Sequence, residues 1–160
     1  IEDGNFIAAA KRTIEAVWRL SENDNTYRVE IEVSHLPSEL LYAESETPAE
    51  GEKVAIREHL RHFPANAAIL TTGALTTHVE NNAIVLGPGS ISPRVLAHEF
   101  GHVLGFRDRY IRGYRDLGKD GFEVLEAIAD PRDIMGAPAM GSVLPAHFDN
   151  LIRAMSRAQN

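Results

Sequence analysis

Two histidines and two carboxylates crowd into HEFGHVLGFRD, residues 98–108. His98 and His102 are four apart, so on a helix both rings project from one face. Two imidazoles at that spacing can grip one zinc ion, with bonds of ~2.0–2.1 Å. Glu99 lies one residue on and points to the side of the pair. From there its carboxylate reaches a water at the ion without being a ligand, which is the logic of HExxH. Catalytic zinc ordinarily has three protein ligands and an open position. Gly105 suits the left-handed residue that ends a helix, and the turn it allows swings Asp108 back toward the histidines. Asp108 is therefore the expected third ligand. Asp116, Asp120, Glu123 and Glu126 compete with it, the last two if FEVLEA forms a second metal-facing helix. The plain alternative is an exposed helix face that happens to carry two histidines. The glycine and aspartate at fixed offsets weigh against it, because HExxH alone is a far commoner pattern.

The elements that must hold these groups follow from periodicity and punctuation. SISPRVLAHEFGHVLG predicts a helix with Ser92 as N-cap, Pro93 at its first position and Gly105 as its stop. Upstream, NFIAAAKRTIEAVWRL, residues 5–20, has helical spacing and is broken by NDN at 23–25. TYRVEIEVSHL places Tyr27, Val29, Ile31 and Val33 on one face and predicts a half-buried strand. A surface connection follows, then a helix from Glu50 to His62 that Pro64 ends. NAAILTTG predicts a buried strand, and LTTHVENN and AIVLGPG two more extended pieces. Downstream, FRDRYIRGYRDLGKDG reads as irregular, FEVLEAIAD as a short helical piece and PRDIMGAPAMGSVLP as turns. A last helix spans Pro145 to Ser156 and carries Phe148, Leu151, Ile152 and Met155 on one side. The whole is an α+β chain expected to form one domain, residues 1–160, with an upper part to residue 105 and a lower part beyond it.

Composition narrows the function. The 160 residues carry a formal net charge of −7, which argues against a nucleic-acid partner. No apolar run is long enough to cross a bilayer. With no cysteine, any metal site must use His, Asp or Glu. His59 and His62 form a second spaced pair, but Arg57 and Arg61 flank them, so a solvated basic face is the expectation there. His78 is read as an exposed strand residue that could line a cleft. DLGKDGFE, residues 116–123, has some features of a calcium loop. It lacks the acid at its third position and has Ala127 where the bidentate glutamate belongs, so calcium is not expected.

HEFGHVLGFRD resembles HExxHxxGxx(H/D), the zinc signature of the metzincin metalloproteases. The aspartate in the third-ligand position is similar to the snapalysin-like group of small secreted bacterial proteases. DIMGAP resembles the metzincin Met-turn, which makes Met135 the methionine beneath the zinc. The signature and the turn cover only His98 to about Pro138. The resemblance implies a small mixed, twisted sheet, a zinc-binding helix, a Met-turn and a C-terminal helix. It also implies a secreted or extracytoplasmic protein that acts on peptide or protein substrates, here expected to be a monomer. Some metzincins have a tyrosine just after the methionine. Gly136 and Ala137 stand there in this chain, so Tyr110 or Tyr114 is the candidate for that place near the reacting carbonyl.

The expected activity is zinc-dependent endopeptidase. One Zn2+ would lower the pKa of a water toward ~7, with Glu99 as general base and later as proton donor to the leaving amine. The peptide would lie along the edge strand near Leu75 to Glu80, and the segment from Tyr110 to Gly121 would shape the leaving side. The alternative is a catalytically silent, zinc-bearing peptide-binding module. The intact Glu99 weighs against it, because a structural site needs no base.

Overall fold

A computed structural model describes residues 3–49 and 52–158 of the chain. The fold is α+β, built from several small sheets and five α-helices among the described residues. Helix α1, Asp3–Val17, packs against the helix that carries HEFGH. It stops three residues short of the expected Leu20, because Arg19–Glu22 (β1) turns back to pair with Asn25–Arg28 (β2). Asn23 and Asp24 both have positive φ, 49° and 62°, as a tight two-residue hairpin turn requires.

Thr26–Leu36 was expected to be one strand, but only its start joins a ladder. Beyond Arg28 the Val29 amide still donates to the Trp18 carbonyl at 2.9 Å, and Ile31 is held by side chains of α1: its amide donates to Glu15 Oε1 at 3.0 Å, and Lys11 Nζ donates to its carbonyl. Val29 and Ile31 still pack on the core, whereas Val33 and Leu36 are exposed. A short helix α2, Ser38–Leu41, follows. The helix expected over 50–62 is only Ile56–Leu60 (α3); residues 50 and 51 lie outside the described residues.

The mixed sheet has three strands in the order β3-β5-β4. Ile69–Thr72 (β3) is parallel to Ala83–Leu86 (β5), and His78–Glu80 (β4) is antiparallel to β5 at the edge. All of β5 is buried, which explains its uninterrupted apolar sequence. Helix α4, Pro93–Val103, then carries the HEFGH segment.

The segment after Asp108 differs most from expectation. Neither an irregular loop nor a helix forms there. Tyr110–Asp116 (β6) and Phe122–Ile128 (β7) make a long antiparallel hairpin closed by a short 3-10 turn at Gly118–Asp120. Arg112 pairs with Glu126 at 2.6 Å and Arg115 with Glu123 at 2.7 Å across the strands. These cross-strand pairs support the ladder that makes FEVLEA a strand, although its apolar residues fit either period. Most of the hairpin is exposed, Ile111 at 78% and Phe122 at 71% included.

Turns run from Ala129 to Leu144, and helix α5, Pro145–Ala158, closes the chain. Of the side expected to pack, Phe148 is buried and Leu151 partly so, while Ile152 and Met155 are exposed. The main core gathers Ile14 from α1 and Trp18 just beyond its end, Ile84 and Leu86 from β5, Leu96 and Phe100 from α4, and Ile134, Met135 and Phe148 from the end of the chain. This core grips the inner face of α4 and leaves its outer edge to the cleft.

Candidate metal centre

Helix α4 begins and ends as its sequence dictates. Ser92 Oγ accepts the Val95 amide at 3.2 Å, and Pro93 opens the first turn. At the other end Gly105 has φ +93°. Its amide reaches the His102 carbonyl at 2.9 Å, and the Phe106 amide reaches the Gly101 carbonyl at 3.0 Å. That pair of bonds is a Schellman cap. Phe106 stacks on Trp18, with centroids 5.6 Å apart, and so fixes the direction in which the chain leaves the helix.

The cap returns Asp108 to the two histidines. Asp108 Oδ1 lies 3.2 Å from His98 Nε2 and 3.2 Å from His102 Nε2. Each ring is held from behind. His98 Nδ1 donates to the Ile134 carbonyl at 3.0 Å, and His102 Nδ1 donates to the Phe106 carbonyl at 2.8 Å. A carbonyl only accepts, so in the neutral ring each proton sits on Nδ1 and each Nε2 presents a lone pair. Two lone pairs and a carboxylate oxygen thus converge. They repel one another unless a cation or a shared proton sits among them.

A four-coordinate zinc with bonds of ~2.0–2.1 Å has ligand–ligand edges of about 3.3–3.4 Å, close to the separations seen here. The Nδ1–carbonyl bonds are the outer contacts that fix tautomer and ring orientation in metal sites. On donor chemistry and geometry the three residues fit a divalent transition ion, and they are the group of metal-competent side chains found among the described residues.

Glu99 lines the same cleft of about 620 Å³, with His78, Thr77 and Val79 on the opposite wall and Tyr110 beside Asp108. Burial pushes the Glu99 carboxyl above its ordinary range, and the imidazoles of His98 and His102 pull it back. Burial, then the nearby Asp108, raises the Tyr110 phenol. The Tyr110 ring lies over His98 with centroids 6.4 Å apart.

Beneath the histidines the turn at Met135 is buried to 1% exposure. Gly101 of HEFGH faces it: a Cβ there would meet Met135 Sδ at 2.5 Å. Asp133, fully buried, holds the turn by accepting the Met135 amide at 2.8 Å and by contacting His147 Nε2 at 3.2 Å.

The structure brings together His98, Glu99, His102, Asp108, Gly105, Met135 and Tyr110. It separates the competitors. Glu123 and Glu126 pair with arginines along the hairpin, Asp116 caps the Gly118 amide, and Tyr114 is 67% exposed outside the cleft. His59 is neither ligand nor solvated. Its Nδ1 bonds the Tyr42 hydroxyl at 2.5 Å and its Nε2 the Thr71 hydroxyl at 2.7 Å. His62 packs on the Tyr42 ring. The acceptors behind the two imidazoles, the Ile134 and Phe106 carbonyls, were missed because a backbone oxygen leaves no mark in sequence. Asp133 and His147 were also missed, although an aspartate two residues before the methionine was a visible signal.

Comparison with known proteins adds no relative. No family model matches the chain, and neither a curated protein nor a solved structure matches it.

Proposed function

We propose that this protein is a zinc-dependent endopeptidase of metzincin type, with His98, His102 and Asp108 holding the ion and Glu99 as general base. The observation that carries the reading is the convergence of His98 Nε2, His102 Nε2 and Asp108 Oδ1, each imidazole tautomer fixed by a carbonyl behind it. Zinc in this shell would act as a Lewis acid, polarising the scissile carbonyl and lowering the pKa of a water toward ~7. Such a donor set also suits iron(II). Glu99 favours the hydrolytic metal, because a half-buried carboxylate beside the ligands serves proton transfer.

Glu99 takes the proton from the attacking water and returns it to the amine nitrogen as the peptide C–N bond breaks. Burial tunes its carboxyl toward that exchange. The Tyr110 hydroxyl, in the same cleft, donates to the carbonyl oxygen as negative charge gathers on it. The edge strand β4 has an open side, on which an extended peptide pairs by backbone hydrogen bonds. Tyr110 is the first residue of the β6–β7 hairpin, which leads away from Asp108.

Metal content by mass spectrometry on protein purified without added metal, together with casein cleavage with and without a chelator, tests the reading. About one zinc per chain and chelator-sensitive cleavage are expected. Zinc without cleavage would turn the site into a binding module, and a chain that takes up no zinc would end the proposal.

A further inference from the structure

Beside the metal cleft lies a second cavity of about 630 Å³, between α3 and the turn that joins β4 to β5. Its lining combines the apolar Leu60, Phe63 and Ile69 with the cationic Arg57 and Arg61. The two cavities share one residue, Asn81, at the tip of that turn.

Arg57 is engaged. Its Nε donates to Glu80 Oε1 at 3.0 Å, which neutralises the one carboxylate in the lining. Arg61 has no ion-pair partner among the described residues. The cavity therefore presents one uncompensated cation beside apolar side chains, in a chain whose net charge is −7. An aliphatic stem ending in a carboxylate matches that lining.

Distance along the strand says where such a group would sit. A peptide on the open side of β4 advances ~3.4 Å per residue. From His78, on the wall of the metal cleft, to Asn81 is three residues, or about 10 Å. Resting on the peptidase reading above, we propose that the Arg57–Arg61 cavity is a subsite for an acidic substrate side chain. The protein would thus favour peptides with glutamate or aspartate about three residues from the scissile bond, on the side that runs past Asn81. The recognition chemistry is a carboxylate, which a peptide also carries at its C-terminus, so amidated and free-acid peptides must be compared.

The test uses libraries of neutral decapeptides with one glutamate fixed at each position in turn, made both as amides and as free acids. Cleaved bonds are read by mass spectrometry. A partly exposed ion pair is worth up to about 1 kcal/mol, so a two- to fivefold preference for glutamate is expected at one position on one side of the bond. Arg61→Glu should reverse it in favour of lysine. The preference should also fade between roughly 0.01 and 1 M salt, as the screening length falls from ~30 to ~3 Å. Glutamate cleaved no better than glutamine, or a preference unchanged in Arg61→Glu, would overturn the proposal while leaving the peptidase intact. A preference seen only in the free acids would assign the cavity to chain ends and overturn it equally. If no library peptide is cut, the peptidase reading fails on its own. Retention of the same amidated libraries on immobilised protein still decides the subsite: stronger retention of glutamate peptides by wild type than by Arg61→Glu upholds it, and equal retention overturns it.

Discussion

Asp108 is the residue on which the metal reading turns, because its contacts with both Nε2 atoms make a pair of histidines into a three-donor set. Replacing it with alanine should weaken zinc binding by more than the ~10–100-fold typical of losing an outer contact. Glu123→Ala should change nothing, since that carboxylate is spent on Arg115. Competition against a chelating dye measures both, and equal affinities in the two variants would refute the assignment. Glu99 makes the opposite prediction. Glu99→Gln should keep its zinc and lose about 10²–10⁴-fold in peptide cleavage, the range ascribed to a positioned base. At this scale the sequence was informative about which side chains converge and silent about what orients them. His98, Glu99 and His102 are legible because spacing on one helix fixes their relation, and Asp108 because the Gly105 stop that turns the chain lies only three residues before it. The acceptors at Ile134 and Phe106 come from backbone that only tertiary folding brings near.

At the scale of elements, legibility followed the range of the forces involved. Helix α4 was readable to its ends because Ser92, Pro93 and Gly105 act within a few residues of themselves. The β6–β7 hairpin was not, because FEVLEA acquires its strand form by pairing along its length with β6, which no local pattern announces. The cap at Gly105 is also where element and site meet. Its φ of +93° is one that a side chain resists, yet a Cβ there would touch nothing within 4 Å. Gly105→Ala should therefore act through backbone strain alone, costing about 1–3 kcal/mol of stability. If the cap aims Asp108, zinc affinity should fall as well. Gly101→Ala tests a different junction. A methyl there collides with Met135 Sδ and approaches Trp18, so a loss of about 1–3 kcal/mol from overpacking is expected. Urea unfolding of the metal-free proteins reads both changes. An unaltered midpoint in Gly101→Ala would mean that the Met135 turn does not press on the helix.

For the molecule as a whole, the question is what fastens the last third of the chain beneath α4, and His147 at the start of α5 is the most informative group. It is 5% exposed, accepts the Leu144 amide on Nδ1 at 2.8 Å and sets Nε2 3.2 Å from Asp133 Oδ1. Its ring meets Trp18 and Phe106 edge-on, so it touches the residue that follows α1, the α4 cap and, through Asp133, the Met135 turn. Burial lowers its pKa, and the nearby Asp133 carboxylate only partly offsets that. The sign follows from linkage. As pH falls through the ordinary histidine value of ~6.5, the unfolded chain takes up a proton that the fold resists, so stability present above that pH is lost below it. His59, lowered mainly by burial, contributes in the same sense. Glu99, raised by burial, contributes in the opposite sense, so wild type must be compared with His147→Gln to isolate the imidazole. The comparison should be made with a chelator present, because any bound metal would otherwise add its own pH dependence. The urea midpoint of wild type should decline from pH 7.5 toward 5.5. His147→Gln should start lower, having lost the bridge to Asp133, and decline less steeply. Parallel slopes would mean that the buried ring takes up its proton as readily in the fold as in the open chain, and that α5 is fastened by apolar contact through Phe148 rather than by this pair.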